Sequence, residues 1–287
     1  IFVFVNKETD YFVFFTISVM VVVINAVVNI FYLKNKVTFL LKNIEIKPYI
    51  KPFFVLGVYM VLTSMYTSFN VAYLGFATNE KEVGYYTTAT KLFSILLALF
   101  TAFSGVMFPR VSLLVADGDY LEVKRLISKS YDLLFSFCIP LIVGLVFFAP
   151  QIIYIISGSG YEGAVLPMRI IAPLMLIIGV EQVLILQILM PLRKDKAILF
   201  NSIAGSLVGL LLNFLIVPYL GSVGSSLVWF FSECIVLICA QLFVAIFINI
   251  SFPYKKLLIH IIGAFPLIIV CFALSYAFGD NLFAIYM

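Results

Sequence analysis

Lys91, Arg169, Glu181 and Glu233 are the residues of this sequence best placed to do chemistry, because each interrupts a long apolar stretch. A charge held at the middle of a helix in hydrocarbon costs at least ~2.5 to 3.5 kcal/mol, so each needs water or a partner. An embedded cation suits an anion such as a phosphate, and an embedded carboxylate suits a cation or a proton. Helical spacing from Lys91 reaches Thr87, Ser94, Ala98, Thr101 and Gly105, while Leu92, Phe93, Leu96, Leu97 and Phe100 cover the rest of that helix. Such a stripe suits a lumen wall, or a close-packing surface from which Lys91 reaches the outer headgroups. Arg169 lies near the outer end of its stretch and admits the same two readings. Glu181 forms a polar patch with Gln182 and Gln187, about 120° around the helix from Arg169. Glu233 sits at a depth similar to Lys91, so the two could form a buried pair, functional or merely neutralising. Asn25 shares a face with Asn29, Asn70 with Thr63 and Thr67, and Asn213 with Ser202, Ser206 and Gly209. These faces fit either a hydrophilic cavity or polar glue between helices, and Gly205 to Gly209 has the small-xxx-small packing spacing. His260 stands beside Lys255 and Lys256, as an interfacial histidine or a proton-relay member.

The elements that must position these residues follow from composition. The chain of 287 residues is 64% apolar and 11% charged, with a mean hydropathy of +1.17. Soluble domains carry about 25% charged residues, so the water-soluble classes are excluded. Stretches of roughly 20 apolar residues, enough to cross a bilayer, run near 11–32, 53–76, 85–108, 133–157, 166–190, 197–217, 227–248 and 257–278. Pro109, Gly158-Ser159-Gly160, Pro191, Pro218 with Gly221 and Gly224, and Pro253 supply the breaks. Alternating ten-residue strand segments are missing. The fold class is therefore all-α: a polytopic membrane helical bundle of about 8 transmembrane helices.

Lys and Arg concentrate in the inward loops, at 34–51, 110–129, 193–196 and 255–256, leaving only Lys7 and Lys81 in the opposite loops. This bias places the basic side in the cytoplasm. Outward loops such as 77–84, 158–165 and 218–226 are too short for a folded catalytic domain. No GxxxxGK loop marks an ATPase, and the cysteines (Cys138, Cys234, Cys239 and Cys271) have neither metal-ligand nor disulfide spacing. The net charge of +4, clustered in short loops, is no nucleic-acid footprint. Transport without a built-in enzyme is the class that remains, with no cofactor and no catalytic or metal residues assigned. The stretch 110–131 predicts an amphipathic helix at the cytoplasmic interface, begun after the Asp117-Gly118-Asp119 turn, and 34–51 predicts a basic interfacial linker. An initial Ile and the lack of a leader pattern read as an internal fragment of a longer chain.

The segment Glu82-Val83-Gly84-Tyr85-Tyr86-Thr87-Thr88-Ala89-Thr90-Lys91-Leu92, followed by a long span to Pro109-Arg110, resembles the second half of Wzx-type polysaccharide (O-antigen) flippases. These belong to the multidrug, oligosaccharidyl-lipid and polysaccharide exporter superfamily. Asp10-Tyr11 before the first span and Gly221-Ser222-Val223-Gly224-Ser225 before Trp229 are similar to that family as well. The resemblance implies a MATE-like two-bundle architecture in the full chain. On that reading, residues 1–32 hold the last helix of the amino-terminal bundle and 33–52 the linker; 53–248 form a six-helix bundle, and 249–287 an additional helix with an outer tail. It further implies alternating-access translocation of undecaprenyl-pyrophosphate-linked oligosaccharide across a bacterial cytoplasmic membrane, coupled to H+ or Na+. Membrane lipid, a polysaccharide polymerase and a chain-length protein would be its partners. Lys91 falls within the matching segment; Arg169 is carried over on membrane depth alone. A cation-coupled drug exporter of the same superfamily, favoured by Glu181 and Glu233, and a membrane glycan polymerase are the alternative readings.

Overall fold

A computed structural model describes residues 11–34, 47–248 and 251–278. Among these residues every regular element is helical. In chain order they are α1 (Tyr11–Leu33), α2 (Lys47–Ser64), α3 (Ser68–Ala77), α4 (Glu80–Ala116), α5 (Tyr120–Phe147), α6 (Ala149–Ser157), α7 (Val165–Ile171), α8 (Leu174–Leu184), α9 (Asp195–Phe247), α10 (Tyr254–Gly263) and α11 (Phe265–Phe278). A 3-10 turn at Glu162–Ala164 leads into α7, and a π-helical segment, Ile185–Leu189, extends α8. Five stretches are long and apolar enough to cross a membrane, Glu80–Ala116, Tyr120–Phe147, Glu162–Leu189, Asp195–Ile246 and Tyr254–Ala273, and a shorter apolar helix covers Val19–Leu33. The protein is an all-α, multi-pass membrane bundle. The chain divides into two compact units at Ile50/Lys51. Most of the basic linker expected at 33–52, and the outer tail beyond Phe278, lie outside the described residues, while Lys47 and Lys51 already belong to α2.

Three expectations from sequence are corrected. Pro109 does not end its helix: α4 continues through it for 37 residues, about 55 Å at 1.5 Å per residue. The ring removes only the bond to the Gly105 carbonyl, and both residues are exposed. The interfacial helix expected over 110–131 is instead the ends of α4 and α5, joined by a tight turn in which Gly118 takes φ +77. Val123, Leu126 and Ile127 of this stretch are core residues. Asn79 and Asp119 cap α4 and α5, their side chains accepting the N–H groups of Glu82 and Glu122 at 3.1 Å each. The span expected at 53–76 breaks at 65–67, where Tyr66 turns its backbone against Gly209 so closely that a Cβ there would lie 2.6 Å from that of Tyr66.

The break expected at Pro218, Gly221 and Gly224 is found: α9, 53 residues long, is two spans folded into a hairpin at Gly221, the residue with φ 54 and ψ −129. Added Cβ atoms place Gly205 against Val236, Gly209 against Ser232 and Gly224 against Val217, pairs that are symmetric about Gly221. The small-residue spacing at Gly205 and Gly209 thus serves close packing. Asn201, Ser202, Ser206 and Asn213 are buried on this hairpin, and Ser202, Ser206 and Asn213 donate to carbonyls of their own helix. The two segments that carry the family resemblance meet at the bend. Glu82 accepts the N–H of Ser222 at 2.7 Å, and Asn70 donates to the Ser225 carbonyl at 2.9 Å and to the Tyr86 hydroxyl at 3.1 Å. A carboxylate on the first N–H of the returning helix also meets the positive end of its dipole.

The core gathers around the segment from Glu162 to Leu189, where Leu134 of α5 packs so tightly on Gly179 that a Cβ would fall 2.2 Å from its Cδ1. Lys256 of α10 donates to the Ser128 hydroxyl at 2.5 Å and to Asp132 at 2.5 Å. His260 sits edge-on to Phe135, and its Nε2 lies 3.0 Å from the Ser136 hydroxyl. These contacts fasten α10 along α5. Gly221→Ala is expected to destabilise the protein by about 1 to 3 kcal/mol, because the position combines a left-handed φ with a Cβ landing 2.5 Å from Glu82 Oε2. Thermal unfolding of the purified protein checks this, with Gly105→Ala, whose Cβ meets nothing within 4 Å, as the neutral control.

Candidate functional site

The polar stripe predicted on α4 exists, and it faces away from the interior of its unit. Tyr86, Ala89, Phe93, Phe100, Ser104 and Met107 form the buried side of the helix, whereas Lys91, Ser94, Ala98, Thr101 and Gly105 are exposed and Thr87 is half-buried. The reason is local: Phe93 packs edge-on to Trp229 of α9 at 5.2 Å, and Lys91, two residues earlier, points about 200° around the helix from it. Thr87 donates to the Val83 carbonyl and Ser94 to that of Thr90, each at 2.8 Å, which satisfies these hydroxyls within the helix. Among the described residues the Lys91 ammonium is engaged by no hydrogen bond or ion pair, the ion pairs there being Arg125–Glu122 and Lys256–Asp132.

A Lys91 to Glu233 pair is not formed. Glu233 lies on the inner side of α9, where its carboxylate accepts the Trp229 indole N–H at 2.9 Å. It shares a cavity with Glu181 of α8. Both are 6% exposed, and Glu181 Oε1 is buried without a hydrogen-bond partner. They line a cavity of about 300 Å³ together with Tyr59, Thr63, Tyr66 and Gln182. Gln182 donates to the Thr101 hydroxyl at 2.9 Å, which joins this cavity to the stripe of α4. The stripe of α4 and the acidic pocket thus meet at Thr101. Chemically, the outer part can hold an anion and the pocket a cation.

The remaining candidates have other surroundings. Arg169 donates from Nε to the Val146 carbonyl at 3.0 Å, where it closes the last turn of α5. Asn70 is fully buried in the network at the hairpin. Asn25, on α1 of the other unit, is exposed and accepts from Asn29 at 2.8 Å. Sequence reasoning missed Tyr59, Tyr66 and Trp229. Tyr59 and Thr63 share a face of α2, but Tyr66 joins them only through the break at 65–67, and aromatic residues in an apolar span read as packing.

Residues 9–166, more than half of the chain, match the family described as polysaccharide biosynthesis protein. The chain belongs to that family. Within its matched region fall Lys91 and the whole stripe of α4; Glu181 and Glu233 lie beyond it. The chain is similar to a Shigella dysenteriae protein named for O-antigen transport, 29% identical over 75% of this chain and 54% of that protein. It is also similar to an Escherichia coli K12 protein of the same name, 28% identical over 63% of this chain and 43% of that one. A third relative, named a probable low-salt glycan biosynthesis flippase of Haloferax volcanii, is 24% identical over 69% of this chain and 43% of its own length. The chain thus spans about half the length of the curated relatives it matches. No solved structure matches.

Trp229→Phe keeps a ring against Phe93 but removes the donor to Glu233. It is expected to cost about 1 to 3 kcal/mol of stability, because a buried carboxyl group loses its partner. Chemical or thermal unfolding in detergent measures the loss.

Proposed function

We propose that this chain forms part of a flippase that moves lipid-linked oligosaccharide repeat units, carried on undecaprenyl pyrophosphate, from the cytoplasmic to the periplasmic leaflet of a bacterial cytoplasmic membrane. The observation that carries the proposal is the unpaired Lys91 on a hydroxyl-bearing face that continues through Thr101 and Gln182 to an acidic pocket. A sugar headgroup with two phosphates cannot enter hydrocarbon alone, and a hydroxyl-lined, cationic wall replaces part of its hydration while the prenyl tail remains in lipid. Lys91 attracts the pyrophosphate, and Thr87, Ser94 and Thr101 line the passage of the sugars. Alternating access then carries the stripe between the two sides, with the rest of the full-length transporter forming the opposite wall. The released units pass to a polysaccharide polymerase and its chain-length partner. Support for this reading comes from the family and from relatives named for O-antigen transport and glycan flipping.

Glu181 and Glu233 supply the coupling in this proposal. Two adjacent carboxyl groups inside a membrane repel one another unless a cation lies between them, and Glu181 Oε1 is buried with no partner to neutralise it. The cation is H+ or Na+, and its binding and release bias the rocking between states. A cation-coupled exporter of small molecules is the second reading, and the acidic pocket favours it; a drug-resistance assay separates the two, since only the exporter protects cells.

Lys91→Ala in the full-length protein is expected to leave lipid-linked units on the inner leaflet and to reduce surface polymer at least tenfold, with Lys91→Arg partly restoring it. Normal surface polymer in the alanine variant would remove Lys91 from the mechanism. Glu181→Gln should make transport in vesicles insensitive to the H+ or Na+ gradient that drives the parent protein. An unchanged response to both gradients would exclude the pocket from coupling.

A further inference from the structure

A second cavity, of about 390 Å³, opens at the basic end of the bundle, among the ends of α4, α5 and α9 and the π-helical segment. Its walls are apolar, from Val123, Ile127, Ile188 and Leu192, and two cations, Lys124 and Lys194, stand at it without an acidic residue in the lining. Both lysines are exposed, and among the described residues neither enters an ion pair. Its most telling feature is Gln187. This side chain is fully buried, lines the cavity, and has neither its amide N–H2 nor its carbonyl oxygen hydrogen-bonded. An amide deprived of all partners costs about 1 to 3 kcal/mol, and in a native fold such a group has a cause, a bound molecule that completes its bonds among them.

The backbone explains how the amide reaches this place. The segment Ile185–Leu189 is held by wide-turn bonds, from Met190 N–H to the Ile185 carbonyl at 2.8 Å and from Lys194 N–H to that of Leu189 at 2.9 Å. One extra residue in the ladder rotates the following side chains by about 100° relative to an uninterrupted α-helix. Gln182 therefore faces the acidic pocket, while Gln187, five residues on, serves the cavity at the basic end.

We propose that this cavity binds a phosphate ester, with Lys124 and Lys194 pairing with the phosphate oxygens and the Gln187 amide donating from below. Apolar walls accept the methylene groups that adjoin the ester, and the volume lies in the range of small-ligand sites. Basic pockets between helices on the cytoplasmic side are the places where anionic headgroups dock. The source is an anionic phospholipid of the inner leaflet or a soluble phosphate ester. A bound ester ties together four helix ends, and so sets how freely they move against one another. This site is separate from the polar path through Lys91, and its test reads binding rather than transport.

The test is thermal unfolding of the purified full-length protein in detergent, with phosphatidylglycerol, phosphatidylcholine or sn-glycerol 1-phosphate added. Phosphatidylglycerol is expected to raise the midpoint more than phosphatidylcholine, and the Lys124→Gln/Lys194→Gln double variant should need roughly 30-fold more of it. A shift by sn-glycerol 1-phosphate at the same concentration assigns the site to soluble esters, and its absence assigns it to lipid. Gln187→Leu should raise the midpoint of the ligand-free protein and abolish most of the ligand-induced shift. No preference for either phosphate ester, an unaltered response in the double variant, or a Gln187→Leu protein that is less stable without ligand would each overturn the proposal.

Discussion

Hydrocarbon offers no hydrogen bonds, so every polar group carried into the bilayer must be answered inside the protein or remain available for something that passes through it. Most of the structure can be understood as compliance with this constraint. Many serines and threonines of the spans return their hydroxyls to carbonyls of their own helix; Thr63, Ser130, Ser202 and Ser232 do so. Asn70 and Glu82 are spent on the backbone of the α9 hairpin, where the chain reverses and leaves groups unmatched. Arg169 answers the exposed carbonyl end of α5.

Against this background three of the groups left without a partner acquire meaning. Among the described residues Lys91 enters no ion pair, Glu181 Oε1 has no hydrogen-bond partner in the pocket it shares with Glu233, and neither end of the Gln187 amide is bonded. They occupy three distinct places: the open face of α4, the pocket between α2, α8 and α9, and the cavity at the basic end. The first two are linked by the Gln182 to Thr101 bond, while the π-helical segment separates the third from them. A transporter needs such arrangement, since a charge or amide left without a partner stays available to substrate or ion, while a hydroxyl that donates within its helix still offers an acceptor.

Close packing makes the arrangement possible. Gly205 and Gly209 let the two halves of α9 and the Tyr66 turn approach until no side chain fits between them, and Gly179 does the same for Leu134. Small residues matter in a bilayer because lipid competes equally for apolar contact, and helix association depends on intimate fit. The acidic pocket is formed where that fit brings Tyr66, Glu181 and Glu233 together.

The apolar runs and the basic loops determined by themselves that this chain is an all-α membrane bundle, because desolvation of the backbone leaves a span of this composition no other form. The stripe on α4 was equally legible, as helical period alone places Lys91 opposite Phe93. Chain continuity was legible only in part: the Asp117-Gly118-Asp119 turn was readable, but Pro109 read as the end of a span, and only burial of Val123 and Ile127 showed that the helix after the turn belongs to the bundle. The partner of Glu233 was not legible either. Depth along the membrane normal suggested Lys91, whereas the azimuth set by Phe93 against Trp229 turned lysine out and carboxylate in, beside Glu181. Sequence specifies the depth and the face of each residue on its own helix; which faces meet is decided by packing between helices, through glycines and rings distant from one another in the chain.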